Sequence, residues 1–270
     1  MSLIITTVLT SIGLAFLLGF LLGLFKKIFS VKVDKKVSDI RDILPGANCG
    51  GCGYAGCDAF AAAVASGEAA PGGCSAGGAD VSDKLGKLLG VNINAEKKVA
   101  LLACQGSHDC AGQRGTYSGV KSCLSVTLAV NNIKKCSFGC IGLGDCVAVC
   151  PFDALSIGEN GLPQVNYENC VGCGKCAKAC PKHLFDIIPA SRKGAAALCR
   201  NRADNRPKIK KDCTAGCIKC RLCEKKCPEH CIVVINGIPE TDYEKCTSCG
   251  VCAQVCPDKV IKMTESIVYA

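Results

Sequence analysis

The chain begins with an uninterrupted apolar stretch. Residues 1–25 contain no charged side chain, and Ile4 to Phe25 is long enough to span a bilayer as a helix. Lys26 and Lys27 follow at once, whereas a cleaved signal peptide carries its positive charges before its apolar stretch. The pattern predicts a transmembrane anchor over residues 1–28, with its C-terminal side in the cytoplasm because basic residues are retained there.

Beyond the anchor, apolar positions occur in short runs separated by glycine, proline and cysteine. The alanine-rich residues 58–70 predict a short helix. The apolar pattern predicts a strand within residues 97–104 and a helix within 123–132. Residues 154–165 and 231–239 each place a glycine turn between two apolar stretches, which predicts two hairpins. The elements are short and mixed, as in small α+β modules.

The cysteine content changes the picture. The chain has 270 residues, of which 26 are cysteine, and only 5% are aromatic. Such density indicates either a disulfide scaffold or a metal protein. Disulfide scaffolds are usually short secreted domains, whereas this chain is long and its cysteines fall in tight C-x-x-C runs that suit a shared metal centre. Metal ligation would also stabilise modules too small for a conventional core, and it implies a reducing, cytoplasmic compartment.

The formal charge of +9 invites a nucleic-acid function. Each [4Fe–4S] cluster with four thiolates would contribute about −2, so several clusters would cancel most of the excess. Aromatic side chains for base stacking are also scarce. We therefore expect no nucleic-acid partner. The basic run Arg200 to Lys211 either faces an acidic partner such as a ferredoxin or is a solvated linker.

Three segments carry the cysteine run of bacterial two-cluster ferredoxins. In this run, C-x2-C-x2-C-x3-C-P, three cysteines bind one cluster and the fourth binds the other. The runs are Cys170, Cys173, Cys176, Cys180 with Pro181; Cys217, Cys220, Cys223, Cys227 with Pro228; and Cys246, Cys249, Cys252, Cys256 with Pro257. Zinc sites favour two separated pairs instead. The spacing therefore predicts iron–sulfur clusters.

A fourth run departs from this pattern. Residues 136–151 align without gaps to residues 213–228, but Leu143 occupies the position of Cys220. We expect Cys136 to replace the missing ligand, which leaves its counterpart Cys213 spare.

The stretch CGGCGYAGC at residues 49–57 fits two chemistries. Its glycines spell the G-x-G-x-x-G of a dinucleotide-binding turn, but that turn needs a preceding strand, and the residues before it contain a proline and no β-branched run. Its cysteines, together with Cys74, which is separated from Cys57 by sixteen residues, supply four thiolates. The glycines let the backbone wrap closely and offer amides to sulfur. We expect a cluster here, with zinc as the alternative.

Exchange of the fourth ligands within each pair of runs gives five predicted [4Fe–4S] clusters. Their ligands are Cys49, Cys52, Cys57 and Cys74; Cys136, Cys140, Cys146 and Cys180; Cys150, Cys170, Cys173 and Cys176; Cys217, Cys220, Cys223 and Cys256; and Cys227, Cys246, Cys249 and Cys252. Six cysteines remain: Cys104, Cys110, Cys123, Cys199, Cys213 and Cys231. We expect most of these to be buried thiols, with a sixth metal site formed by some of them as the alternative.

The expected fold is α+β, with an N-terminal transmembrane helix, a small four-cysteine domain and two tandem two-cluster ferredoxin-like modules. The predicted divisions are an anchor at 1–28, a connector at 29–43, a [4Fe–4S] domain at 44–97, a linking segment at 98–133, module 1 at 134–190, a basic linker at 191–212 and module 2 at 213–270.

This order of anchor, C-x2-C-x4-C-x16-C unit and ferredoxin runs resembles the B subunits of the Rnf family, in the longer form with two ferredoxin modules. The Rnf complex is a membrane ferredoxin:NAD oxidoreductase that pumps sodium ions or protons. The resemblance implies an electron-transfer subunit in the cell (inner) membrane, with one transmembrane pass and its clusters on the cytoplasmic side. It implies that soluble ferredoxin donates the electrons and that other subunits carry flavin, NAD and ion sites. Leu143 departs from the family's run.

Three other functions fit parts of the sequence. One is the iron–sulfur subunit of another membrane oxidoreductase, of hydrogenase or formate type, although residues 49–74 argue against it. A membrane-tethered iron–sulfur sensor would need fewer clusters and an effector domain. A zinc protein that binds nucleic acid conflicts with the spacing of the runs.

Overall fold

The computed structural model describes residues 2–29, 34–93 and 96–268. The first element is helix α1 (Ser2–Ile28). It is long and apolar enough to cross a membrane, and its apolar window is not buried against the rest of the chain. The apolar stretch over residues 4–25 lies wholly within this helix, and of the predicted anchor over residues 1–28 only residue 1 lies outside the described residues.

A small helical domain follows the anchor. It contains α2 (Lys35–Ile43), α3 (Cys57–Ser66), a 3₁₀ turn (Pro71–Gly73) and α4 (Gly78–Leu89). Ile40, Phe60 and Leu85 form its fully buried core. Ile40 belongs to α2, so the predicted connector contributes a core side chain to this domain.

Helix α3 ends earlier than the alanine-rich pattern predicts. Gly67 takes a left-handed conformation, with φ of 81°, and its N–H reaches the carbonyl oxygens of Ala63 and Val64. Glycine adopts this conformation without the steric cost that a Cβ would add, so it ends the helix at Ser66.

Two modules of matching topology make up the rest of the chain. The first contains β1 (Lys98–Leu102), α5 (Cys123–Val130), α6 (Asp145–Ala148), β2 (Leu155–Ile157), β3 (Pro163–Val165), α7 (Lys175–Ala179) and β4 (Phe185–Pro189). The second contains β5 (Ala195–Ala197), α8 (Arg206–Asp212), α9 (Leu222–Lys225), β6 (Ile232–Ile235), β7 (Ile238–Thr241), α10 (Val251–Gln254), β8 (Ile261–Met263) and α11 (Glu265–Val268).

The strands pair in four antiparallel two-stranded sheets among the described residues. The sheets β2–β3 and β6–β7 are the two hairpins that the sequence predicts. The other two sheets, β1–β4 and β5–β8, join strands far apart in sequence. Leu102 stands opposite Phe185 and Ala197 stands opposite Ile261. Because Phe185 and Ile261 each follow the last cysteine of their module by five positions, β1 and β5 are structural equivalents.

The segments expected to link the modules are therefore part of them. Strand β1 lies in the predicted linking segment and β5 in the predicted basic linker. The basic run also forms helix α8, whose Asn205 side chain accepts a hydrogen bond from the Lys208 amide. Ile209 of this helix is buried. This stretch is thus partly helical and packs through Ile209, while most of its side chains remain exposed.

The core of the helical domain can be tested on one helix. Leu85 of α4 is 0% exposed, whereas Leu88 is 44% exposed. We expect Leu85→Ala to destabilise the domain by about 2–5 kcal/mol, because it removes buried methyl groups and leaves a cavity. Leu88→Ala is the matched control and should change little. Thermal unfolding of the full chain in detergent, followed by circular dichroism, checks the pair; equal effects of the two substitutions would contradict the packing described.

Candidate metal centres

The cysteines of the second module surround two cavities. One is lined by Cys217, Cys220 and Cys223 of the first run and by Cys256 of the second. The other cavity is lined by the last cysteine of the first run and the first three of the second, which are Cys227, Cys246, Cys249 and Cys252. Cys231 adds a fifth sulfur to this cavity. The structure thus brings together the sulfurs that the exchange of fourth ligands predicts. Cys231 was not expected there, and its Sγ lies 3.4 Å from the Sγ of Cys227.

All four runs share one backbone geometry. In each, a short helix starts immediately after a residue in the left-handed conformation, two positions before the third cysteine of the run. These residues are Gly144, Gly174, Arg221 and Gly250, with φ of 85°, 76°, 58° and 74°. The run that carries Leu143 therefore keeps the fold of a cluster-binding loop although it lacks one cysteine.

In the first module, the predicted group of Cys150, Cys170, Cys173 and Cys176 is compact. Burial raises the pKa of Cys176 to about 12, and the neighbouring Cys170 and Cys173 add to the shift. Burial also raises the pKa of Cys173, with contributions from Cys49, Cys150 and Cys170. Strand β1 contributes the Ala100 amide, which donates a hydrogen bond of 3.4 Å to the Cys170 sulfur. These contacts bring together the predicted group of Cys150, Cys170, Cys173 and Cys176.

The four cysteines of the helical domain also converge. Burial raises the pKa of Cys74, and the proximity of Cys57, Cys49 and Cys52 raises it further. The loop before α3 is held by Asn48, whose Oδ1 accepts a hydrogen bond of 2.8 Å from the Cys57 amide. Residues 34–93 contain helices but no strand, so the glycines of this loop lack the strand that a dinucleotide-binding turn requires.

The helical domain abuts the first module at Gly51. A Cβ built on Gly51 would lie 3.0 Å from the Cβ of Cys173. A larger side chain would therefore separate the two cysteine groups, and glycine permits their close approach.

The remaining group of the first module differs from its predicted membership. Its cavity is lined by Cys140, Cys146 and Cys180, together with Cys123 rather than Cys136. Cys123 begins helix α5, and burial raises its pKa while hydrogen bonds from the backbone of Asp145 and Leu143 lower it. The Cys123 sulfur thus lies beside the backbone of Leu143, the position at which this run lacks a cysteine.

Asp145 holds Cys123 in this place. Its carboxylate accepts hydrogen bonds from the Ser122 hydroxyl at 2.9 Å and from the amides of Cys123 and Leu124 at 2.9 and 3.0 Å. Desolvation opposes ionisation, but these hydrogen bonds outweigh it and lower the pKa of Asp145. The negative charge of Asp145, beside the first turn of α5, also interacts favourably with the positive end of the dipole of that helix.

The structure places Cys136 elsewhere. Cys136 shares a cavity with Cys104, Cys199 and Cys213, three of the cysteines that the spacing left unassigned. The buried Asn132 determines the path of this loop, because its side-chain amide donates to the carbonyl oxygens of Cys136 and Gly139 at 3.0 and 2.8 Å. The aligned cysteine at position 213 was the sequence signal for this grouping, since both modules keep a cysteine there.

The donor set suits clusters. Among residues 2–29, 34–93 and 96–268, no three or more His, Cys, Asp or Glu side chains are arranged to hold a single metal ion. The cysteines instead stand around cavities, and a four-iron cube is bound at its corners by separated thiolates. Backbone amides point at several sulfurs, as with Val260 and Cys256 at 3.3 Å, and such hydrogen bonds stabilise thiolate ligands.

Comparison with known proteins agrees with this donor set. The family described as "Putative Fe-S cluster" matches residues 44–76, "4Fe-4S dicluster domain" matches 135–184 and "4Fe-4S binding domain" matches 239–262.

One relative extends the likeness over nearly the whole chain. The B subunit of the ion-translocating oxidoreductase complex of Methanosarcina acetivorans is 39% identical over 97% of this chain and 99% of its own length. The chain belongs to this family of B subunits.

Two further relatives carry more specific names. The B subunit of the Na(+)-translocating ferredoxin:NAD(+) oxidoreductase complex of Acetobacterium woodii is 41% identical over 82% of this chain, which spans 66% of that relative. Its proton-translocating counterpart from Clostridium ljungdahlii is 40% identical over 91% of this chain and 86% of its own length.

Membership of this family shows to which functional class the chain belongs. The chain is an iron–sulfur electron-transfer subunit of an oxidoreductase complex, and its partners are other subunits of that complex. The expected α+β fold, with an apolar N-terminal helix and iron–sulfur domains, is confirmed. Helix α1 is its membrane anchor. The sensor and zinc-protein alternatives, and a subunit of hydrogenase or formate type, are set aside.

The role of Asp145 gives a prediction. We expect Asp145→Ala to weaken the first turn of α5 by about 1 kcal/mol, because the amides of Cys123 and Leu124 lose a charged acceptor. Iron bound near Cys123 should then be released faster to a chelator under anaerobic conditions. The control is Asp109→Ala at an exposed position. Equal rates of iron release from the two variants would contradict the positioning role of Asp145.

Proposed function

We propose that this protein accepts electrons from reduced soluble ferredoxin on the cytoplasmic side of the cell membrane. It passes them to the other subunits of an ion-pumping ferredoxin:NAD oxidoreductase, and it holds no complete active site of its own. The observation that carries this proposal is the series of cysteine groups described above. The names of the Acetobacterium and Clostridium relatives, which include ferredoxin and NAD, support the donor and acceptor.

The proposed cofactors include five [4Fe–4S] clusters. Four of the predicted groups are retained unchanged, and in the fifth Cys123 joins Cys140, Cys146 and Cys180 because these four line one cavity. When bound, each cluster exchanges one electron at a potential set by hydrogen bonds, charge and solvent exposure. The protein's part is to hold the ligands, supply amide donors and exclude water.

The proposed orientation depends on the charges that follow the anchor. Lys26 and Lys27 end helix α1 on the side of the cysteine domains. Because lysine is retained on the cytoplasmic side, the domains would face the cytoplasm with a single pass through the membrane. Reduced ferredoxin and a reducing environment are both present there.

The donor would dock by charge. Helix α8 and the residues before it present exposed basic side chains, including Arg202, Lys208 and Lys211. Lys210 is instead engaged with Asp258. An acidic electron carrier would be attracted to this face, and the attraction would weaken as salt increases.

Membrane vesicles test the donor and the orientation together. Ferredoxin cannot cross a membrane, so chemically reduced ferredoxin should reduce the clusters in inverted vesicles and leave them oxidised in right-side-out vesicles. Low-temperature paramagnetic resonance of vesicles from cells expressing the whole complex gives the reading. Reduction only in right-side-out vesicles would contradict the orientation, and reduction in neither, with clusters still reducible by dithionite, would contradict the donor.

The docking face has a matched control in the same assay. Reversal of charge in Lys208→Glu/Lys211→Glu should slow reduction about tenfold at low salt and less at high salt. Lys87→Glu changes an exposed lysine on the helical domain and should leave the rate unchanged. Equal rates for the two variants would remove α8 as the docking site.

The assignment of Cys123 can be tested by moving a ligand. Cys123→Ala should lose about four irons per chain. The aligned run has Cys220 where this one has Leu143, so adding Leu143→Cys to Cys123→Ala should restore them. Iron and sulfide analysis of anaerobically purified protein checks both variants. If Cys123→Ala keeps its iron while Cys136→Ala loses iron from this group, the original expectation of Cys136 as the ligand would stand.

A further inference from the structure

We propose a sixth [4Fe–4S] site, held by Cys104, Cys136, Cys199 and Cys213, at the junction of the two ferredoxin-like modules. These four side chains line one cavity. Spacing alone does not reveal the site, because each ligand comes from a different segment of the chain.

The cavity has the features of a cluster pocket. Glycines form part of its wall, and a Cβ on Gly106 would lie 3.6 Å from the sulfurs of both Cys104 and Cys213. The Gly106 amide donates to the Cys104 sulfur at 3.4 Å. The buried Asn201 directs its side-chain amide at the Cys136 sulfur, 3.6 Å away. Glycine at the wall and N–H groups aimed at sulfur favour a bound thiolate cluster.

The site is symmetric with respect to the two modules. Cys104 follows β1 by two positions, as Cys199 follows β5, and those strands are equivalent by their pairing. Cys136 and Cys213 align within the runs. Each module therefore contributes the same two cysteines from the same two places.

The hydrogen bonds repeat this symmetry. The Cys140 amide donates to the Cys104 sulfur at 3.4 Å, and the aligned Cys217 amide donates to the Cys199 sulfur at 3.4 Å. Two halves that both retain this arrangement indicate a shared ligand rather than four unrelated buried thiols.

A buried cation lies against the cavity. Lys134 is 1% exposed and donates to the Gly106 carbonyl oxygen at 2.7 Å. Among the residues that the structure describes, no carboxylate forms an ion pair with it. A buried charge without a partner is costly. A four-thiolate cluster, with a net charge of about −2, would supply the compensating charge.

The position of the proposed site, between the clusters of the two modules, indicates its role in electron transfer. Cys140 belongs to a cluster group of the first module and Cys217 to one of the second, and each donates its amide to a sulfur of the proposed site. The site would therefore lie between the two modules and join their clusters in one series. This electron-transfer role rests on the proposed function; the metal site itself does not.

Metal analysis of the full chain, purified anaerobically in detergent, is the test. Six clusters predict about 24 irons and as many sulfides per chain, whereas five predict about 20. Cys104→Ala/Cys199→Ala removes one ligand from each module and should lose about four irons. Cys110→Ala is the matched control, since Cys110 packs beside Cys136 and Cys213 without lining the cavity, and it should keep the full content.

The outcomes separate this site from the function as a whole. A wild-type content of about 20 irons, with reduction by ferredoxin intact, would overturn the sixth site and leave the proposed function standing. Zinc or a disulfide in place of the additional irons would also overturn it. If the double variant does not fold, Cys199→Ser replaces it. Mössbauer spectra should then show about one-sixth of the iron altered, and spectra identical to wild type would overturn the proposal.

Discussion

The need to bind thiolates in buried places governs this structure. Cysteines lie among the apolar side chains in the interior of each module. Cys146, Cys170 and Cys176 belong to the core of the first module, and Cys223, Cys227, Cys231 and Cys252 belong to that of the second. Burial raises the pKa of Cys140 and Cys213 to about 12, so these sites strongly disfavour a free thiolate. Coordination of iron compensates for that cost and joins distant segments at the same time. The short helices and tight turns are arranged around this requirement.

Duplication accounts for most of what lies between the anchor and the C-terminus. Both modules use the same loop geometry, the same hairpin and the same long-range strand pair. Where they differ, at Leu143, a side chain from helix α5 takes over: Cys123 reaches the cavity from outside the run. Asp145 is central to that substitution because it anchors the first turn of α5 beside Cys146. In the proposed arrangement, the ligand missing from this run is therefore supplied by the first residue of α5, whereas the aligned run of the second module carries its own cysteine, Cys220.

The contacts between groups suggest how electrons would pass along the protein. The helical domain near the anchor meets the first module at Gly51 and Cys173. The first module would meet the second through the site of Cys104 and Cys199. Among the 26 cysteines, all within the described ranges, only Cys249 is exposed, and it belongs to the last group of the second module. The series would therefore run from an accessible end to an end close to the membrane anchor.

Local sequence was enough to specify the anchor, the four cysteine runs, both hairpins and the four-cysteine loop. Tight spacing places sulfurs together whatever the rest of the chain does. Three-dimensional packing determines instead which cysteine joins Cys140, Cys146 and Cys180. It also determines which cysteines share a cavity with Cys136. Those groupings depend on strand pairings between residues 64 to 91 positions apart and on loops held by Asn132 and Asp145. Spacing along the chain carries no information about such contacts, since long-range packing, rather than local geometry, brings these sulfurs together.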